Sequence, residues 1–110
     1  MSIIVNVYYS GKDGNARTFA EEMESSGLAA QIRCKQGNLK YEYFLPMNDP
    51  ETVLLIDCWQ SQADLDAHHT SPVMEKIMEL REKYDLHMKV ERYISDHAGV
   101  PDSDKQFIRK

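Results

Sequence analysis

Cysteine is scarce in this chain: Cys34 and Cys58 are the only two among 110 residues. Two thiols are too few for a disulfide-stapled scaffold, and neither has the CxxC spacing of a zinc knuckle or redox pair. They read as reduced thiols in a cytoplasmic protein. Basic residues are outnumbered, 13 against 18 acidic, for a formal charge of −5. Without a Lys/Arg cluster the chain has no electrostatic footprint for nucleic acid, nor for an anionic membrane surface. No apolar run approaches the roughly 20 residues that span a bilayer. The opening Met-Ser-Ile-Ile-Val-Asn-Val lacks the charged stretch and cleavage signal of a secretory leader. No flavin fingerprint, nucleotide loop or metal quartet occurs, so the expectation is chemistry without cofactor or metal.

Hydrophobic residues at 42% and charged residues at 28% are ordinary for a globular domain. Ile3 to Tyr9 is β-branched and apolar, closed by Ser10-Gly11-Lys12-Asp13-Gly14, and reads as a strand and turn. Phe19 and Met23 then set a helical period, with Asn15 as the expected cap and Gly37 as the expected stop. Leu39, Tyr41, Tyr43 and Leu45 alternate with polar or charged neighbours and with Phe44 as a second strand. Thr52 to Trp59 is a third, nearly continuous in apolar residues from Val53 to Ile56. A strand apolar on both faces is covered on both. Helices supply one cover, and a chain this short has no second sheet to spare, which predicts a homodimer.

Ser61-x-x-Asp64 signals a short helix ending at His68 and His69. Ser71-Pro72 opens another, with Met74, Ile77, Leu80 and Tyr84 on one face. Met74, Met78 and Met88 read as adaptable core packing. Leu86 to Ile94 alternates as a fourth strand. The order is β-α-β-β-α-β, an α+β, ferredoxin-like split motif with a four-stranded antiparallel sheet. Residues 1–95 form this domain, and 96–110 form a C-terminal extension whose Phe107 and Ile108 are expected to pack on the dimer.

The block from Val53 to Met74 resembles the antibiotic biosynthesis monooxygenase family. Asp57, Trp59, His68, Ser71 and Pro72 match its acidic residue two before Trp and its His-x-x-Ser-Pro helix end. Arg33 to Phe44, with Gly37, Leu39 and Tyr41, is similar to a second family segment, although Lys35 stands where an acidic residue is usual. The resemblance covers about residues 3 to 95. It implies a dimeric α+β barrel in which two sheets stack face to face. The family spans cofactor-independent oxidation of phenols and quinols, haem degradation, and isomerisation of a sugar-derived signal, so the pocket has to decide the function.

His68, Asn6 and Trp59 are the candidate catalytic residues. His68 is placed to accept a phenolic proton near neutral pH, while also suiting a helix C-terminus. Asn6 is an amide inside an apolar strand and needs a partner, and Trp59 offers either a core anchor or a stacking surface. Tyr8, Tyr41 and Tyr43 are candidate substrate contacts on a pleated face, and Arg33 is a candidate for neutralising an oxyanion. Asn6 and Trp59 match part of the haem-degrading pattern, but the histidine expected near Met78 is absent, which argues against haem. The primary expectation is oxidation of a small phenol or quinol by oxygen. The alternatives are a non-catalytic small-molecule binding module and an isomerase of a small carbonyl compound, with His68 shuttling protons.

Overall fold

In the computed structural model, which describes residues 1–110, four strands form one antiparallel sheet in the order β2-β3-β1-β4. The strands are β1 (Ile3–Ser10), β2 (Asn38–Phe44), β3 (Thr52–Trp59) and β4 (His87–Ile94). A left-handed turn at Asp13 and Gly14 leads from β1 into α1 (Asn15–Ser25), and Gly27 leads into α2 (Leu28–Arg33). The β3-to-β4 crossover carries α3 (Gln62–His69) and α4 (Pro72–Lys83), and a single turn, α5 (Asp102–Lys105), lies in the extension. This is the ferredoxin-like order expected from the alternating periods.

Pairing of β1 with β3 sets the parity that matters most. Val5 lies opposite Asp57, Val7 opposite Leu55 and Ile3 opposite Trp59, all on the helix-covered face. Asn6 lies opposite Ile56, and Tyr8 opposite Leu54, on the other face. The core fills the covered side: Tyr9, Phe19, Met23, Ile32, Val53 and Trp59 are fully buried. Tyr9 and Phe19 rings meet at 4.9 Å between centroids, a separation at which aromatic pairs attract beyond simple area burial. Leu54, Ile56, Ile4 and Phe44 lie across the opposite face and are only half-buried.

Several local expectations are corrected. Gly14, in the left-handed region, precedes α1 where Asn15 was expected to cap, and the Asn15 amide instead donates to the Tyr84 carbonyl at 3.1 Å. The second helical segment stops at Arg33, short of Gly37. A bulge between Asn38 and Lys40 turns Leu39 outward, leaving it 59% exposed. The methionine stripe is not core throughout. Met74 packs against the core, while Met78 is 59% and Met88 42% exposed. The Ser61 cap is as expected, its hydroxyl accepting from the Asp64 N–H at 3.2 Å.

Candidate functional site

Between the sheet and helices α3 and α4 lies a cavity of about 280 Å³, with ten hydrophobic residues among its fifteen lining positions. Val5, Val7 and Leu55 form its floor, and Leu65, Met74 and Ile77 form its helical wall. Alternation along β1 and β3 sends every second side chain here, which is why Tyr9 and Asp57 face the same space. Its polar groups are Tyr9, Tyr41, Asp57, His68, Arg81 and, at the rim, His69 and Arg92. No group of three His, Cys, Asp or Glu side chains is placed to hold a metal ion.

Asp57 is the residue the sequence reading treated only as a motif marker. Its side chain is almost inaccessible, 7% exposed, and its one hydrogen bond comes from the Asn38 amide at 3.4 Å. Burial pushes its carboxyl up to about 7, against the pull of the neighbouring Trp59 and Asn38 N–H groups. The indole N–H leans toward the carboxylate without closing a hydrogen bond of ordinary geometry, so Trp59 Nε1 stays unpartnered. The signal that could have exposed Asp57 is a charged residue at an inward position of a doubly apolar strand.

His68 is buried at the end of α3 and stacks on Trp59, with centroids 4.9 Å apart and planes 23° apart. Its Nδ1 is buried without a partner. Burial is the main cause that pulls its pKa down to about 4, helped by the positive charges of Lys35, His69 and Arg81. The imidazole is therefore neutral at physiological pH. Lys35 Nζ donates to Ser71 Oγ, which in turn donates to the His68 carbonyl at 2.7 Å. The lysine that departs from the family pattern thus anchors the helix junction beside His68. It also helps keep that imidazole uncharged.

The structure does not bring the expected site residues together. Of them, His68 and Tyr41 line the cavity, beside Asp57. Trp59 lies behind His68, bordering a separate depression with Lys35 and Asp64. Tyr43 does not line the cavity; its hydroxyl is 2.8 Å from that of Tyr41, and burial pushes both phenols well above their usual range. Asn6 and Tyr8 lie on the opposite sheet face, so Asn6, Trp59 and His68 do not share one cavity. The physical reason is parity: Asn6 and Val7 point to opposite sides of the sheet, and Val7 faces inward. Arg33 is also elsewhere, held by both Glu24 oxygens and donating through Nε to the Tyr41 carbonyl at 2.7 Å. The cationic groups lining the cavity are Arg81, whose Nη2 donates to the Tyr9 hydroxyl at 2.9 Å, and Arg92 at the rim.

Comparison with solved structures finds the same architecture at low identity. SnoaB, a cofactor-independent oxygenase from Streptomyces nogalater, superposes with a TM-score of 0.69 at 7% identity, covering 87% of this chain and 94% of SnoaB. A conserved protein from Methanosarcina mazei gives 0.75 at 20% identity, covering 87% of this chain and 94% of its own. PA3566 from Pseudomonas aeruginosa gives 0.73 at 19% identity, covering 86% of this chain and 93% of its own. No curated protein is close enough in sequence to count as a relative. No helix is long and apolar enough to cross a membrane. The sequence pattern of the antibiotic biosynthesis monooxygenase family matches residues 2–80, most of the ferredoxin-like unit and nearly all of its cavity-bearing crossover. This chain belongs to the antibiotic biosynthesis monooxygenase family.

Proposed function

We propose that the protein is a cofactor-independent monooxygenase that oxidises a small phenol or quinol in the cavity beside Asp57. The observation that carries this reading is a buried carboxyl, poised near neutrality, in a space otherwise lined mostly by apolar side chains. Ionised Asp57 takes the hydroxyl proton of the substrate, and the resulting phenolate is electron-rich enough to reduce oxygen. One electron passes to O2, the radical pair recombines as a carbon-bound peroxide anion, and the proton held by Asp57 returns to its outer oxygen to give the hydroperoxide. Cleavage of the O–O bond with loss of the hydrogen on the same ring carbon releases water and leaves a quinone. One oxygen atom ends in the product and the other in water, and the substrate itself supplies all the electrons, so no outside reductant enters.

His68, expected from sequence to take the proton, is a weaker candidate for holding it. Burial and three nearby cations disfavour its imidazolium. A neutral imidazole, stacked firmly on Trp59, is suited instead to a hydrogen bond that orients the substrate hydroxyl toward Asp57. Tyr41 supports the same wall. The lining favours this reading over isomerisation of a polar carbonyl compound, because a flat aromatic ring buries well against Val7, Leu55 and Ile77.

The same reading includes a homodimer formed through the sheet face that carries Leu54 and Ile56, with Asn6 and Tyr8 in that interface. Its support is the apolar character of a face that no element of the chain covers. A cytoplasmic location belongs with it. Oxygen uptake with naphthols and naphthohydroquinones tests the activity. Uptake above the uncatalysed rate is expected, and Asp57→Asn should lower kcat by about 100-fold or more, the scale of general-base catalysis. Unchanged turnover in that variant would remove Asp57 from the mechanism.

A further inference from the structure

Two guanidinium groups line the cavity, Arg81 from α4 and Arg92 from β4. Neither has an anionic partner. The four ion pairs of the chain are Arg33–Glu24, Lys83–Glu22, Lys89–Glu91 and Lys105–Asp102. Acidic residues are in excess, 18 against 13 basic, so a shortage of carboxylates does not explain two unpaired arginines at one cavity. Arg92 donates only to the neutral Gln62 amide oxygen. Arg81 donates Nη2 to the Tyr9 hydroxyl and lays its guanidinium 5.5 Å from the Tyr9 ring centroid, while its Nε is buried with no acceptor. A guanidinium half-removed from water with an unused donor is unfavourable until an acceptor arrives, and its planar fork matches a carboxylate.

Asp57 does not supply that acceptor. Its polar neighbours are Asn38 and the Trp59 indole, and it forms no ion pair with Arg81. The cavity therefore holds a carboxyl group and, not paired with it, two guanidinium groups, with Val7, Leu55 and Ile77 among the apolar residues lining the same space.

We infer that the cavity is built for an aromatic acid: the ring lies on the apolar wall, an anionic substituent is bound by Arg81 with Arg92 at the rim, and the phenolic hydroxyl is turned toward Asp57. This deepens the oxygenase reading and takes from it only the phenolic hydroxyl. The anchor itself concerns binding and stands apart from turnover. Arg81 fixes which end of the substrate enters first, so a ligand lacking the anion loses both affinity and orientation.

Isothermal titration with hydroxynaphthoate, naphthol and naphthoate tests the anchor without requiring turnover. Wild-type protein is expected to bind hydroxynaphthoate about tenfold or more tightly than naphthol, the scale of one charge-assisted contact. Arg81→Met should collapse that gap, and Arg81→Lys should keep part of it. Should Arg81→Met not fold, the wild-type gap must still shrink as salt rises, because the rim is open to solvent. Equal binding of naphthol and hydroxynaphthoate, no binding of either, or a gap that survives in Arg81→Met would overturn the inference. Selective binding of hydroxynaphthoate with no oxygen uptake would uphold the anchor and count against the oxygenase reading alone.

Discussion

Asp57 and His68 face one cavity with opposite departures from their ordinary acidity, and both departures have burial as the leading cause. A carboxyl raised to about 7 from 3.8 binds its proton more tightly folded than unfolded. Its contribution to stability is therefore present at low pH and is lost as pH rises from about 4 to about 7. An imidazole lowered from 6.5 to about 4 does the reverse, and stability falls as pH drops through that interval. The two contributions oppose one another across the same range, so the pair flattens the pH profile of the wild-type protein. Asp57→Asn removes only the first. Its stability relative to wild type should therefore grow as pH rises between about 4 and 7. Denaturant melts of both proteins at several pH values measure this directly, and a constant difference would mean that Asp57 titrates normally.

At the scale of elements, the loop from α2 to β2 is fixed by one glycine. Gly37 has φ of +82°, and a Cβ there would stand 2.2 Å from Asp64 Oδ2 at the start of α3. Its carbonyl also accepts from the Gln60 N–H at 2.7 Å, tying this loop to the end of β3. Asp64 is in turn held by the Ser61 hydroxyl at 3.0 Å, so an intruding methyl would disturb the cap of the helix that delivers His68. Gly37→Ala is expected to lower stability by about 2 kcal/mol or more, combining left-handed strain with the loss of a cap. Urea unfolding gives the value. Far-ultraviolet dichroism shows whether the helices survive. A loss no larger than that of an ordinary surface substitution would show that the loop relaxes freely.

At the scale of the whole molecule, one sheet face is left uncovered by any element of the chain, and the proposed dimer rests on it. Ile56 sits near its centre, between Asn6 of β1 and Glu42 of β2. Asn6, on that face, has its Oδ1 without a hydrogen-bond partner in the single chain. Phe107 is 80% and Ile108 48% exposed in the single chain, so residues 96–110 gain burial only against another surface. Ile56→Lys should shift sedimentation velocity from dimer toward monomer at micromolar concentration. Deleting residues 96–110 should weaken the dimer or lower its melting temperature. A wild-type protein that already sediments as a monomer would remove the basis of both expectations.

Hydrophobic period alone determined the order of elements in this chain. Strands alternate every second residue and helices every third or fourth, and β3 was legible to the residue from its run between Thr52 and Trp59. Ser61 and Pro72 marked helix starts because a capping hydroxyl reaches a backbone N–H only three residues on and a proline fixes its own backbone, so neither needs a distant partner. Which face a strand residue meets is a different kind of fact. Asn6 looked like a neighbour of Trp59, yet register between β1 and β3 sends the two to opposite sides of the sheet. No local signal fixes that, since an alternating strand reads the same from either face. Arg33 and Arg81 show the same limit: their roles differ because Glu24 lies within reach of one and no carboxylate within reach of the other. Asp57 was visible as a motif residue, but its acidity comes from low dielectric and few hydrogen bonds, properties that exist only once the sheet and helices have closed around it.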